Sequence, residues 1–225
     1  MKQNPFDGHA SSNYAKGPPR QVPGYGSLHR MVSLLLAESV PADGRILVLG
    51  AGGGLELQAL AEAHARWSFD GVDPSAEMLD LAKQTTEAHA ARIGLHHGYI
   101  EDAPAGPFDA ATSLLTFHFI AREQRLKTLK ELHRRLKPGA PLVLVHVSFP
   151  QTEPERSQWI ARHVAFSATE GADLAQLESA RQAIGTRLTI LSPDEEEAML
   201  QAAGFSAVRL FYAGLSFRGW IAYAD

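Results

Sequence analysis

The chain contains no cysteine. That absence removes disulfides, thiolate zinc sites and cysteine nucleophiles together, so any chemistry must come from oxygen, nitrogen or a bound cofactor. No apolar run approaches the roughly 20 residues that span a bilayer. The opening segment, MKQNPFDGHASSNYAKGPPRQ, has neither an apolar signal core nor an Arg-rich amphipathic pattern, and a cytoplasmic protein without membrane contact is expected. Positive charge is not in excess either: 21 Lys and Arg against 25 Asp and Glu give a formal net charge of −4. Such a balance exerts no general pull on phosphate backbones and favours a small-molecule substrate over nucleic acid. What the chain does have is 45% hydrophobic residues over 225 positions, enough to bury one substantial core.

The first 24 residues are rich in Gly, Pro, Ser and Asn without apolar periodicity and read as a mobile N-terminal arm or lid; the domain proper is expected over 25–225. Leu28, Met31, Val32, Leu35 and Leu36 recur at helical spacing before Pro41. The rhythm then changes to short apolar runs at 45–50, 69–73, 93–98, 108–115 and 141–148, alternating with helical stretches at 55–64, 76–91 and 123–136. Strands that alternate with helices predict stacked βαβ units and a parallel sheet. After Ser148 a helical insert over about 153–190 extends into a mostly helical stretch, and two β-rich runs follow at 206–213 and 216–224. Gly214 and Leu215 between them are too few for a parallel crossover, so an antiparallel hairpin at the sheet edge is expected. The fold class is therefore α/β: a Rossmann-like, mainly parallel seven-stranded sheet with helices on both faces and a C-terminal antiparallel hairpin.

The first strand runs into Gly50-Ala51-Gly52-Gly53-Gly54 and then a helix. Gly50 permits a tight turn, Gly52 lets backbone approach a ligand, and the helix N-terminus beyond offers free N–H groups. A nucleotide-like ligand suits such a loop, although a purely structural turn would look the same. A dinucleotide fingerprint starting at Gly50 would need glycine at 55, where the chain has Leu55. The pattern is G-x-G-x-G, and a dinucleotide oxidoreductase falls to last place. Asp73 lies 23 residues beyond Gly50, at the end of the second strand run. A carboxylate there can accept from both hydroxyls of a ribose, or cap the helix starting near Ser75.

Together, the loop 50–54, GVDPSAEML (71–79) and LKPGAPLVLV (136–145) resemble the class I S-adenosylmethionine-dependent methyltransferases. A more distant likeness, to the carboxy-S-adenosylmethionine synthases of tRNA wobble-uridine modification, rests on VPGY (22–25), TFHF (116–119), Arg181 and AAGF (202–205). The resemblance implies S-adenosylmethionine, or its carboxylated form, as cofactor. Gly50, Ala51 and Gly52 would run beneath its methionine part and Asp73 would hold the ribose. Pro74 and Met78 would flank the adenine, Tyr99 and Ile100 would line the adenine edge, and Leu114 would pass near the sulfonium. Tyr25 and Arg181 fall where the synthases have an active-site tyrosine and a carboxylate-binding arginine. A homodimer through the helical insert is also implied.

Methyl transfer is an in-line displacement, so alignment and exclusion of water do much of the work. If the acceptor is a hydroxyl or amine, His118 is the candidate general base; a satisfied buried histidine is the other reading. Arg181 is either a carboxylate clamp or the partner of Glu178, and Tyr25 either touches the cofactor or packs. His96 and His97 are adjacent on a strand and face opposite ways, so no metal site is expected. Arg122, Arg125, Lys127, Lys130, Arg134, Arg135 and Lys137 share a helix with Leu126, Leu129, Leu132 and Leu136 and read as its solvated face. Glu195, Glu196 and Glu197 read as an acidic first helical turn. The function expected is methyl transfer to a small-molecule acceptor. Behind it stand a carboxy-S-adenosylmethionine synthase-like enzyme and a non-catalytic binding protein of the same fold. The last is motivated by Val48, Tyr99 and Leu114, which stand where the resembled families usually have polar residues.

Overall fold

The computed structural model describes residues 17–168 and 173–225. Two short helices, α1 (Gly17–Gln21) and α2 (Tyr25–Ala37), lead into β1 (Arg45–Leu49), α3 (Leu55–Ala63), β2 (Ser68–Asp73), α4 (Ala76–Thr85), β3 (Ile93–His97), β4 (Ala110–Leu114), α5 (Arg122–Arg135) and β5 (Pro141–Val147). Then come α6 (Glu155–Ser167), α7 (Leu174–Arg187), α8 (Pro193–Ala202), β6 (Phe205–Gly214) and β7 (Phe217–Ala224). The strands form one seven-stranded sheet in the order β3-β2-β1-β4-β5-β7-β6. The first five are parallel, and β7 runs antiparallel to both β5 and β6.

Every residue of β5 is buried, which explains its unbroken PLVLVHV run: a strand covered on both faces has no polar side to show. Alternate side chains feed two cores. Ile46 and Val48 pack with Leu28, Val32 and Leu36 of α2 and Leu57 and Leu60 of α3. Leu47 and Leu49 pack on the other face with Leu129 and Leu132 of α5 and Leu200 of α8.

Three expectations need adjustment. The helix expected over 76–91 stops at Thr85 and continues as a 3-10 turn, Glu87–Arg92. There the hydroxyls of Thr85 and Thr86 donate back to the carbonyls of Leu81 and Ala82, at 3.0 and 2.7 Å, a contact that competes with the helical ladder. The hairpin turn is Leu215–Ser216, with Leu215 in the left-handed region and Gly214 still paired with Phe217. Residues 1–16 of the expected arm lie outside the described residues; 17–21 are helical, and Val22 is buried in the core. Of the insert, 169–172 also lie outside them, and its described part is α6 packed against α7.

Candidate cofactor site

Going across the sheet, β1 is followed by β2 on one side and β4 on the other, so the chain reverses its direction of winding between β1 and β4. In open α/β sheets a crevice forms at the carboxyl ends of the strands at such a switch point, and ligands bind there. The glycine loop fills the position just beyond β1.

Gly50, Gly52 and Gly54 all have positive φ, at 80°, 49° and 84°, which explains why side-chain-bearing residues are kept out of alternate positions. At Gly50 there is a second reason: a Cβ would lie 2.0 Å from Thr116 Oγ1, so the loop touches the segment that follows β4. Gly54 caps α3 without any side-chain acceptor, leaving first-turn N–H groups open. The amides of Gly50 and Ala51 donate to the Val72 carbonyl at 2.8 and 3.0 Å. Gly52 donates to Asp73 Oδ2, and Ser75 to Asp73 Oδ1, each at 2.9 Å.

Asp73 is therefore fixed at the end of β2 with both oxygens oriented by backbone and lone pairs left for further donors. Burial pushes its pKa up, opposed by the N–H groups of Ser75 and Gly52 and by the charge of His97. The capping alternative for Asp73 falls to its neighbour: the Ser75 side chain accepts from Met78 N–H and caps α4. Beside it, the Pro74 carbonyl accepts from His97 Nε2 at 3.1 Å, Met78 is buried, and Gly98 N–H donates to the Asp73 carbonyl at 3.0 Å. Tyr99 follows with 68% of its surface exposed, and Ile100, buried, starts a 3-10 turn.

Across the crevice, Leu114 ends β4 and Leu115 adopts φ 60°, a conformation that costs a leucine about 1–3 kcal/mol and persists where surroundings enforce it. Thr116 Oγ1 donates to the Leu114 carbonyl at 3.2 Å. His118, in the 3-10 turn Phe117–Phe119, is buried; Val147 N–H donates to its Nδ1 at 3.4 Å. Burial first, then the neighbouring His146, Arg125 and His163, hold its pKa well below the usual histidine value. The ring is neutral near pH 7, and with Nδ1 accepting, its proton sits on Nε2. Tyr25 packs edge-on against His29 at 4.8 Å, and Arg181 pairs with Glu178 at 3.5 Å on the exposed side of α7. The Arg181 contact is thus not with the glycine loop, whereas Asp73 accepts directly from Gly52 within it.

One residue escaped sequence reasoning. Glu56, in the first turn of α3, is only 7% exposed, and its Oε1 has no hydrogen-bond partner. Burial raises its pKa to about 7, against the opposing pull of the Thr112 side chain and the Leu114 backbone. It was legible as an acid at i−4 to Leu60, on the apolar stripe of its helix.

The residues present fit an adenosyl amino acid: an oriented carboxylate at the end of β2, an open helix N-terminus and a buried carboxylate oxygen without a partner. Residues 46–139 match the family described as "Methyltransferase domain". The carboxy-S-adenosyl-L-methionine synthase of Campylobacter lari is 22% identical over 99% of this chain and 95% of its own length. Residues 46–139 are thus similar to a methyltransferase domain, and the chain as a whole is a distant relative, by similarity, of the carboxy-S-adenosyl-L-methionine synthases. Among solved structures, a putative O-methyltransferase from Nostoc punctiforme superposes with a TM-score of 0.67 at 18% identity, over 95% of this chain and 58% of that one. Human N-acetylserotonin methyltransferase, solved with S-adenosylmethionine, gives 0.58 at 16%, over 99% and 60%. This chain thus spans less than two thirds of the length of either structure. Among its described residues no helix is long and apolar enough to cross a membrane.

Proposed function

We propose that the protein transfers a methyl group from S-adenosylmethionine to a small-molecule acceptor in the cytoplasm. The observation that carries this is the Asp73 carboxylate, oriented by Gly52 and Ser75 at 2.9 Å each at the edge of the switch-point crevice. When bound, the cofactor supplies an electrophilic methyl carbon on a sulfonium. The chain's own part is positioning. Asp73 accepts from the ribose hydroxyls; Gly50, Ala51 and Gly52 pass beneath the amino-acid part; Pro74, Met78, Tyr99 and Ile100 border the base. Leu114 keeps water from the reacting carbon, which favours displacement over hydrolysis. His118 is assigned as a neutral hydrogen-bond donor through Nε2 that orients the acceptor, a role that fits its tautomer better than general base.

The test is mass spectrometry of any ligand released from freshly purified protein, calorimetric titration with S-adenosylhomocysteine, and an acceptor panel followed by S-adenosylhomocysteine release. No affinity for any S-adenosyl compound sinks the reading. A second reading, use of the carboxylated cofactor with Arg181 as its clamp, is favoured by the synthase match over 99% of the chain. It requires that Arg181→Ala abolish a preference for the carboxylated over the ordinary cofactor.

A further inference from the structure

Buried carboxylates are rare without a partner, because removing the charge from water costs several kcal/mol unless a cation or a set of donors replaces the solvent. Among the described residues the other buried acids have partners. Asp70 holds Arg45 and His96, Asp73 holds two backbone amides, and Glu196 holds Arg125. Glu56 differs, since its Oε1 is enclosed without a partner, and the Thr112 side chain and Leu114 backbone beside the carboxylate only partly offset the cost of burying its charge.

Its place in the fold gives this a meaning. Glu56 stands two residues beyond Gly54, and its carboxylate lies against Thr112 and the backbone of Leu114 at the carboxyl end of β4. Thr112 is in register with Val48 on β1. The orphan oxygen thus sits between the two strands that flank the switch point, on the side of the glycine loop. A buried negative charge there would repel an anion arriving at the open N-terminus of α3 and attract a cation.

Building on the cofactor reading above, we propose that Glu56 is the recognition residue for the α-ammonium of the cofactor's amino-acid end. A proton occupies the carboxyl for part of the time in the free protein, consistent with its raised pKa, and the ammonium takes its place on loading. Charge pairing of this kind makes the enclosed geometry tolerable, and it makes the pocket selective for an amino acid over a bare thioether.

The experiment is calorimetric titration of wild type and Glu56→Gln with three probes: S-adenosylhomocysteine, its analogue lacking the α-amine, and 5′-methylthioadenosine. Wild type should bind S-adenosylhomocysteine about 10- to 100-fold more tightly than the deaminated analogue, as expected for one charge-assisted contact. Glu56→Gln should lose most of that preference while its affinity for 5′-methylthioadenosine, which lacks the amino-acid end, stays within about twofold. Equal binding of the two homocysteine probes by wild type overturns the proposal even if the variant does not fold. A preference that survives in a folded Glu56→Gln overturns it too. If wild type binds none of the three, the cofactor reading itself fails, and the proposal with it.

Discussion

Gly52 donates its backbone N–H to Asp73 Oδ2 across 2.9 Å, joining the loop after β1 to the end of β2. The same carboxylate accepts from Ser75, so one side chain sets both the loop and the start of α4. Asp73→Ala leaves two buried donors without an acceptor, at about 1–3 kcal/mol each. Urea denaturation should show a loss of about 2–4 kcal/mol, and calorimetry a fall in S-adenosylhomocysteine affinity of about tenfold or more. Asp73→Asn keeps one acceptor oxygen and should retain more of both. An alanine variant with unchanged stability and affinity would show that the backbone holds the loop without it.

Arg125 and Glu196 give the second prediction. Both are buried; Arg125 donates to Glu196 and to the carbonyls of Ile120 and Thr189, and His146 Nε2 lies 3.0 Å from the same Glu196 oxygen. Burial pushes Glu196 up, but His146 and Arg125 outweigh it and hold its pKa below the usual value. Arg125→Met should cost about 3–5 kcal/mol, because it strands a buried charge. Adding Glu196→Met should recover much of that loss, and a double-mutant cycle in urea measures the coupling. Simple additivity of the two changes would refute the pairing as a coupled unit.

The same pair shows where sequence reasoning stopped. Taken one by one, the charges of α5 look like a solvated face, and Glu195 to Glu197 like a first-turn acidic run. Yet Arg125 precedes Leu129 by four residues and Leu132 by seven, and Glu196 precedes Leu200 by four, so both sit on the buried stripes of α5 and α8. Charge identity overrode position in that reading, and two charges that neutralise each other can occupy core positions that neither would occupy alone. Arg135, also buried, is held by Glu131 in the same way. The strand order, the hairpin and the glycine loop were legible because apolar runs, short connections and positive-φ glycines act locally. For Glu56 the position on the apolar stripe of α3 was legible, but the enclosure of its carboxylate was not, because that comes from β4, more than 50 residues downstream.

Gly50 supplies a third prediction. Gly50→Ala places a methyl group 2.0 Å from Thr116 Oγ1 at a φ of 80°, so it carries both a clash and a left-handed backbone. The backbone alone costs about 1–2 kcal/mol, and the clash adds to it. The variant should lose about 2–4 kcal/mol in urea together with measurable S-adenosylhomocysteine binding. Thr116→Ala introduced beside it should restore part of the stability, since the hydroxyl and methyl are removed while the backbone strain stays. No rescue by Thr116→Ala would place the cost elsewhere than in this contact.

Glu56 makes the last prediction, and it needs no ligand. A free glutamic acid loses its proton near 4.5, whereas folded Glu56 does so at about 7. Between those values the folded chain binds more protons than the unfolded one, so stability falls as pH rises, by about 3 kcal/mol across the window. Above pH 7 the whole penalty is present, and below pH 4.5 it is absent. Glu56→Gln has no proton to lose there. Compared by urea denaturation at pH 5 and pH 8, the apo variant should gain about 2–3 kcal/mol relative to wild type on going to the higher pH. Saturating S-adenosylhomocysteine should shrink that gain, because a bound ammonium removes the penalty from wild type alone. Parallel pH profiles for the two apo proteins would mean that Glu56 is ionised without cost, and that its carboxylate is solvated or paired in solution.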